Sequence, residues 1–118
     1  AYQGFGRSLG SGRVLALHAA VCANLQPDLT ILLLPPLGPS LQRARNRNQR
    51  HARTAGTDEN RFERETEEFY SRVYEGYRVI AARESERVVT IADETTIATI
   101  QAKIASVVAT RILQTASQ

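Results

Sequence analysis

Two stretches of the chain hold residue types that could do chemistry. The first is the dense string Tyr2-Gln3-Gly4-Phe5-Gly6-Arg7 at the start of the sequence. The second is a block of arginines: Arg43, Arg45, Arg47, Arg50 and Arg53 fall within residues 41–55 with no acid among them, whereas residues 58–68 hold six acids against two arginines. The net charge is only +3, so the block points to a local anion site and not to a generally basic surface. Asn60-Arg61-Phe62-Glu63 follows it directly. Other chemistries find no support. There is no G-x-x-x-x-G-K-S/T phosphate loop and no His/Cys cluster at metal-ligand spacing, and His18 and His51 lack any partner pattern.

The elements that must position these groups are legible from periodicity. From Ser11 to Leu25, Val14, Leu17, Val21 and Leu25 recur at spacings of three and four, the helical period, until Pro27 and Asp28 stop the run. Leu29 to Leu34 is a short, continuous apolar segment between prolines, the pattern of a strand buried on both faces in a parallel sheet. Gly38-Pro39 opens a helix with proline in its first turn, which runs through Leu41 and Ala44 into the arginine block. From Gln42 to Gly56 apolar content almost vanishes, which predicts a solvated, mobile segment.

Thr57 or Asp58 then caps a long helix to about Arg83, with Phe62, Phe69, Val73, Tyr77 and Ile80 on one stripe and Gly76 a mild cost. Arg87 to Ala92 has the β-branched content of a second strand. Residues 93–96 cap a last helix whose buried face would carry Ile97, Ile100, Ile104, Val107 and Ile112. Two strands joined by a helical crossover are expected to be parallel and right-handed in connection.

Length and composition narrow the classes. The 118 residues permit one small domain or part of a larger one. The apolar run beginning at Ile31 falls far below a bilayer's thickness and no basic-then-apolar leader opens the chain, so neither a membrane span nor a signal peptide is expected. The single cysteine, Cys22, predicts a reduced, intracellular chain in which that residue is a small packed hydrophobe. A strand as apolar as Leu29–Leu34 needs several sheet neighbours, yet only one other candidate strand exists. The expectation is therefore the C-terminal half of a larger α/β domain, and the lack of an initiator methionine before the dense opening string agrees with it.

Five motifs in register make the chain similar to the latter part of bacterial thymidylate kinase. They are Tyr-Gln-Gly-x-Gly-Arg at 2–7, Pro-Asp-Leu-Thr at 27–30, Leu-Gln-Arg-Ala-Arg at 41–45, Asn-Arg-Phe-Glu at 60–63 and Phe-Tyr-x-Arg-Val-x-x-Gly-Tyr at 69–77. The chain departs from the family pattern at Leu34, at Gly38-Pro39-Ser40 and at Ile91-Ala92-Asp93.

The resemblance implies an α/β fold: the C-terminal part of a P-loop kinase domain, spanning residues 1–118, with a parallel sheet flanked by helices and an arginine-rich lid at about 43–60. It implies transfer of the γ-phosphoryl of ATP, with Mg²⁺, to dTMP, giving dTDP, in a cytoplasmic and homodimeric full-length enzyme. It assigns Gln3 to the thymine edge and Tyr2 to the side of the sugar where a 2′-hydroxyl would sit. A primary amide supplies both a donor and an acceptor to a pyrimidine, and an aromatic face leaves an extra hydroxyl unpartnered. It places Arg43 beside adenine, makes Arg45, Arg47, Arg50 and Arg53 candidates for the transferring phosphates, and matches Arg61 to the end of the lid and Asp93 to the adenine-side loop. Phosphoryl transfer asks for positioning and charge neutralisation, which mobile cations supply.

The phosphate loop, the residues that stack on thymine and most Mg²⁺ ligands are expected upstream, so no metal ligand is assigned here and the segment alone should be inactive. The rival reading is a non-enzymatic arginine-rich module that binds nucleic acid or another anion, or completes a partner's sheet. Without interleaved aromatics in the block, and with acids following it, nucleic acid is the less expected partner.

Overall fold

The computed structural model describes residues 1–55, 67–92 and 96–117, with backbone alone at 48, 49 and 51–55. The expectations placed on Thr57, Asp58, Asn60, Arg61, Phe62, Glu63 and Asp93 lie outside the described residues.

The chain begins in a π-helical turn, Tyr2–Gly6, and continues as α1 (Ser11–Cys22), β1 (Thr30–Leu33), α2 (Leu37–Ala55), α3 (Glu67–Arg83), β2 (Val88–Ile91) and α4 (Ile97–Ala116). β1 and β2 pair in parallel, from Thr30 opposite Val88 to Leu33 opposite Ile91. The expected α/β order and the parallel pairing across a helical crossover are thus both present. Arg87 starts the pairing: its carbonyl accepts from Thr30 N at 2.9 Å and its Nη1 donates to Thr30 Oγ1 at 2.6 Å. Its Nη2 meets Glu84 at 2.9 Å, so the turn between α3 and β2 is cross-linked to the first residue of β1. The cap of α4 is Thr96, whose side chain accepts from Thr99 N, and Arg111 on that helix donates to Glu86 O at 2.6 Å.

Several expectations are corrected. α2 continues through Ala55, so the arginine block is helix and not a mobile loop, although Arg43, Arg45, Arg47 and Arg50 are exposed as foreseen. Arg, Gln and Ala are good helix formers, and a helix already nucleated at Leu37 propagates through them without needing an apolar face. α1 ends at Cys22, because Ala23 and Asn24 adopt left-handed backbone, with φ of 51° and 60°. Leu25 lies beyond the helix, and its carbonyl bonds to His18 Nε2 at 2.8 Å.

The stripe of Val14, Leu17 and Val21 is exposed, and so is Cys22, which is not the packed hydrophobe expected. Among the described elements α1 packs chiefly on the π-helical turn, so nothing covers its apolar side. On α4, Ile100, Ile104 and Val107 are half-buried as expected, but Ile97 and Ile112 are exposed. The helix meets β2 along a narrow strip, and Ile97, in the first turn, and Ile112 lie off it. Tyr77 on α3 is also exposed, at 38%.

Among the described residues the buried apolar side chains are Phe69, Val88 and Ile91. β1 is half-buried and Leu33 is 53% exposed, not enclosed on both faces, because the described sheet has two strands and β2 covers one edge of β1. The radius of gyration, 17.2 Å, exceeds the roughly 13.5 Å expected of a compact chain this long. A core this small cannot offset the conformational entropy of ordering four helices. The isolated 118-residue chain is therefore expected to bind a hydrophobic dye such as ANS and to melt without a sharp transition; a cooperative, concentration-independent melt without dye binding would refute this.

Candidate functional site

The opening string comes to rest on α3, and the arginine block reaches the first turn of that helix through the pair of Arg45 with Glu67. The opening string forms a widened turn in which Gly6 N donates to Ala1 O at 3.1 Å and Arg7 N to Tyr2 O at 3.0 Å. Leu9 N and Gly10 N then reach back to the carbonyls of Gln3 and Gly4 at 3.3 and 3.0 Å, tying the turn to the start of α1. The turn lies against Phe69, which is 2% exposed. Tyr2 meets that ring edge-on, with centroids 4.9 Å apart and planes at 78°. Two guanidiniums flank the pair: Arg7 lies 4.9 Å from the Phe69 centroid and Arg72 lies 5.9 Å from it. Arg7 also donates to the Tyr2 hydroxyl at 3.3 Å. Tyr2 is thereby held at its ring and at its phenol oxygen, while Gln3 next to it stays exposed.

The fit between turn and helix is close enough to exclude side chains at two glycines. A Cβ on Gly6 would stand 2.6 Å from Val73 Cγ2 and 2.9 Å from the Phe69 ring. A Cβ on Gly76 would stand 2.7 Å from Phe5 Cγ. Gly76, which propensity alone reads as a cost inside a helix, is the slot that receives Phe5.

Helix geometry divides the arginines of α2. Arg43, Arg47 and Arg50 fall at i, i+4 and i+7 and share a face, whereas Arg45 lies about 200° around the helix from Arg43. Arg43 donates to Ser40 Oγ at 3.1 Å, and that hydroxyl donates to Pro36 O at 2.8 Å, so the first turn of α2 anchors the Arg43 side chain. Arg45 pairs with Glu67 in the first turn of α3. The two side chains are 54% and 69% exposed, so the pair contributes only about 0.2–1 kcal/mol and is readily released. The Arg53 side chain, Arg61 and Asp93 lie outside the described residues.

The sequence reading missed Arg7, Phe69, Arg72 and Gly76 as parts of this site. Three of them were visible as a helical spacing, since Phe69, Arg72 and Gly76 stand at i, i+3 and i+7; what they hold was not. No group of three or more His, Cys, Asp or Glu able to hold a metal ion is found among the described residues. No helix among them is long and apolar enough to cross a membrane.

Residues 1–104 match the family model for thymidylate kinase. The chain belongs to the thymidylate kinase family. That family consists of P-loop kinases, in keeping with a parallel strand pair among helices. Among curated relatives, the thymidylate kinase of Trichlorobacter lovleyi is 41% identical over 114 residues, which cover 96% of this chain and 50% of that protein. That of Desulfovibrio desulfuricans is 44% identical over 89 residues, 74% of this chain and 39% of the relative. That of a Synechococcus species is 36% identical over 112 residues, 95% and 48% respectively. The chain thus spans half or less of the length of these relatives.

A natural host for testing this site is a chimera in which the chain replaces the matched half of the Trichlorobacter lovleyi protein. In it, Phe69→Ala should cost about 3–5 kcal/mol of unfolding free energy, as for a fully buried aromatic. Arg47→Gln and Arg50→Gln should each stay within about 0.5 kcal/mol of the parent, as for exposed positions. Urea unfolding followed by circular dichroism reads both, and equal losses at all three positions would make the arginines structural.

Proposed function

We propose that this chain supplies the base-reading turn and the lid of a cytoplasmic, homodimeric thymidylate kinase that transfers the γ-phosphoryl of ATP to dTMP, giving dTDP. The observation that carries this reading is the turn Tyr2–Gly6 clamped on α3, in a chain whose family is established over residues 1–104. Residues 1–118 form one part of a single nucleoside-monophosphate-kinase-like domain, with a lid at about 43–60.

In this reading Gln3, exposed at the turn, offers its amide as donor and acceptor to the thymine edge. Tyr2, fixed against Phe69, presents a ring where a ribose 2′-hydroxyl would need a polar partner, so a ribonucleotide loses hydration without replacement. The shared face of Arg43, Arg47 and Arg50 suits a polyphosphate, with Arg43, nearest the anchored end, toward adenine. The family resemblance adds Arg53 and Arg61 to the candidates for the phosphates. Arg45 joins them only when it leaves Glu67, an exchange that a phosphate's greater charge favours. The family resemblance assigns Asp93 to the adenine-side loop. Mg²⁺, when bound, neutralises charge between the phosphates.

The chimera tests the reading directly. It should phosphorylate dTMP, and Gln3→Leu should weaken dTMP binding by about 1–3 kcal/mol, the penalty for an unpaired polar partner, while ATP affinity holds. Undiminished dTMP affinity in that variant would remove the base-reading role.

The lid makes a separate prediction. Among Arg45→Gln, Arg47→Gln, Arg50→Gln and Arg53→Gln, at least one should lower kcat by about tenfold or more, since contacts strengthened at the transition state weigh on turnover. Arg43→Gln should instead raise KM for ATP. Wild-type turnover in all of them, measured by steady-state kinetics, would return the block to a solvated helix face.

A further inference from the structure

The turn that carries Tyr2 and Gln3 is gripped by one face of α3 at successive helical positions. Phe69 takes the Tyr2 ring, Val73 and Phe69 close over Gly6, and Gly76 receives Phe5. Between them Arg72 makes the polar link: its Nη2 and Nε donate to Gly6 O at 3.0 and 3.3 Å, across 66 positions of sequence. Carbonyls at the end of a helical turn lack an intrahelical donor, and Arg72 provides two N–H groups to one of them. The same guanidinium lies over Phe69, the ring that seats Tyr2.

We propose that Arg72 is a positioning residue that sets the selectivity of the substrate site for 2′-deoxy over ribonucleoside monophosphates. It rests on the reading of Tyr2 given above and adds the group that holds Tyr2 in register. The buried ring of Phe69 and the seating of Phe5 at Gly76 hold the turn against α3 by packing, which is non-directional and leaves the orientation of the Gly6 peptide to be set by a polar contact. A bidentate guanidinium is directional and fixes the position along the helix axis. A small slip at Gly6 is carried back through the turn's own hydrogen bonds to Tyr2. It opens the space that excludes a 2′-hydroxyl, whereas the arginines of α2 are untouched.

In the chimera, Arg72→Met should raise KM for dTMP by about tenfold and lower the ratio of kcat/KM for dTMP over ribothymidine 5′-monophosphate by a similar factor, with kcat and KM for ATP changed less than about twofold. Arg72→Lys, which can donate one hydrogen bond to Gly6 O but lacks the planar fork, should recover part of the ratio, and it carries the comparison if Arg72→Met fails to melt cooperatively. An unchanged deoxy-to-ribo ratio in both variants, whatever happens to the melting temperature, overturns the proposal and makes Arg72 merely structural. Equal losses toward the two substrates do the same. If the parent chimera neither binds nor phosphorylates dTMP, the kinase reading falls and this one with it; if the parent is active and the ratio does not move, only the positioning role falls.

Discussion

Burial of one phenyl ring joins the first residues of the chain to a helix far along the sequence. Phe69 is the most deeply buried large side chain among the described residues, and it is covered by the turn Tyr2–Gly6 and by two arginine guanidiniums. Take α3 away and, among the described residues, the turn has chiefly its own widened hydrogen bonds and the start of α1 to define it. A five-residue helical turn is far below the length that sustains itself in water. The conformation of Tyr2 and Gln3 is therefore a tertiary product, written by α3 onto a segment with little structure of its own.

The same helix also meets the arginine-rich α2, through the pair of Arg45 with Glu67. One end of α3 thus touches α2 while its middle seats the turn that carries Tyr2 and Gln3. The two contacts differ in kind. The first is an exposed ion pair, weak and reversible; the second is a close-packed apolar contact locked by directional hydrogen bonds. The contact with α2 can release and re-form readily, whereas the turn is held in one place.

Around this centre the fold is open. The parallel pair β1–β2 is firmly started by Arg87, but among the described residues nothing covers the apolar side of α1 or one end of β1, and α4 meets β2 over only part of its apolar stripe. A family whose curated relatives are about twice as long offers a simple physical account, because additional strands and helices would cover these faces.

By itself the sequence determined the element order, the parallel pairing and the family. Proline boundaries, β-branched runs and helical spacing are local properties, and the five motifs lie along the chain in readable order. It also singled out Tyr2, Gln3 and the arginines as chemically suggestive. Burial was not legible: the stripes of Val14, Leu17 and Val21 and of Ile97 and Ile112 have the right periodicity, but periodicity says which residues share a face and not whether anything covers it. The helical state of the arginine block is illegible for a related reason, since a helix without an apolar face leaves no periodic signal in the sequence. Only the tertiary structure showed that Gly76 is a slot for Phe5, that Arg45 pairs with Glu67, and that Arg72 closes on Gly6 O. Each of these depends on two segments distant in sequence arriving at one place, and no local pattern in either segment encodes the other's position.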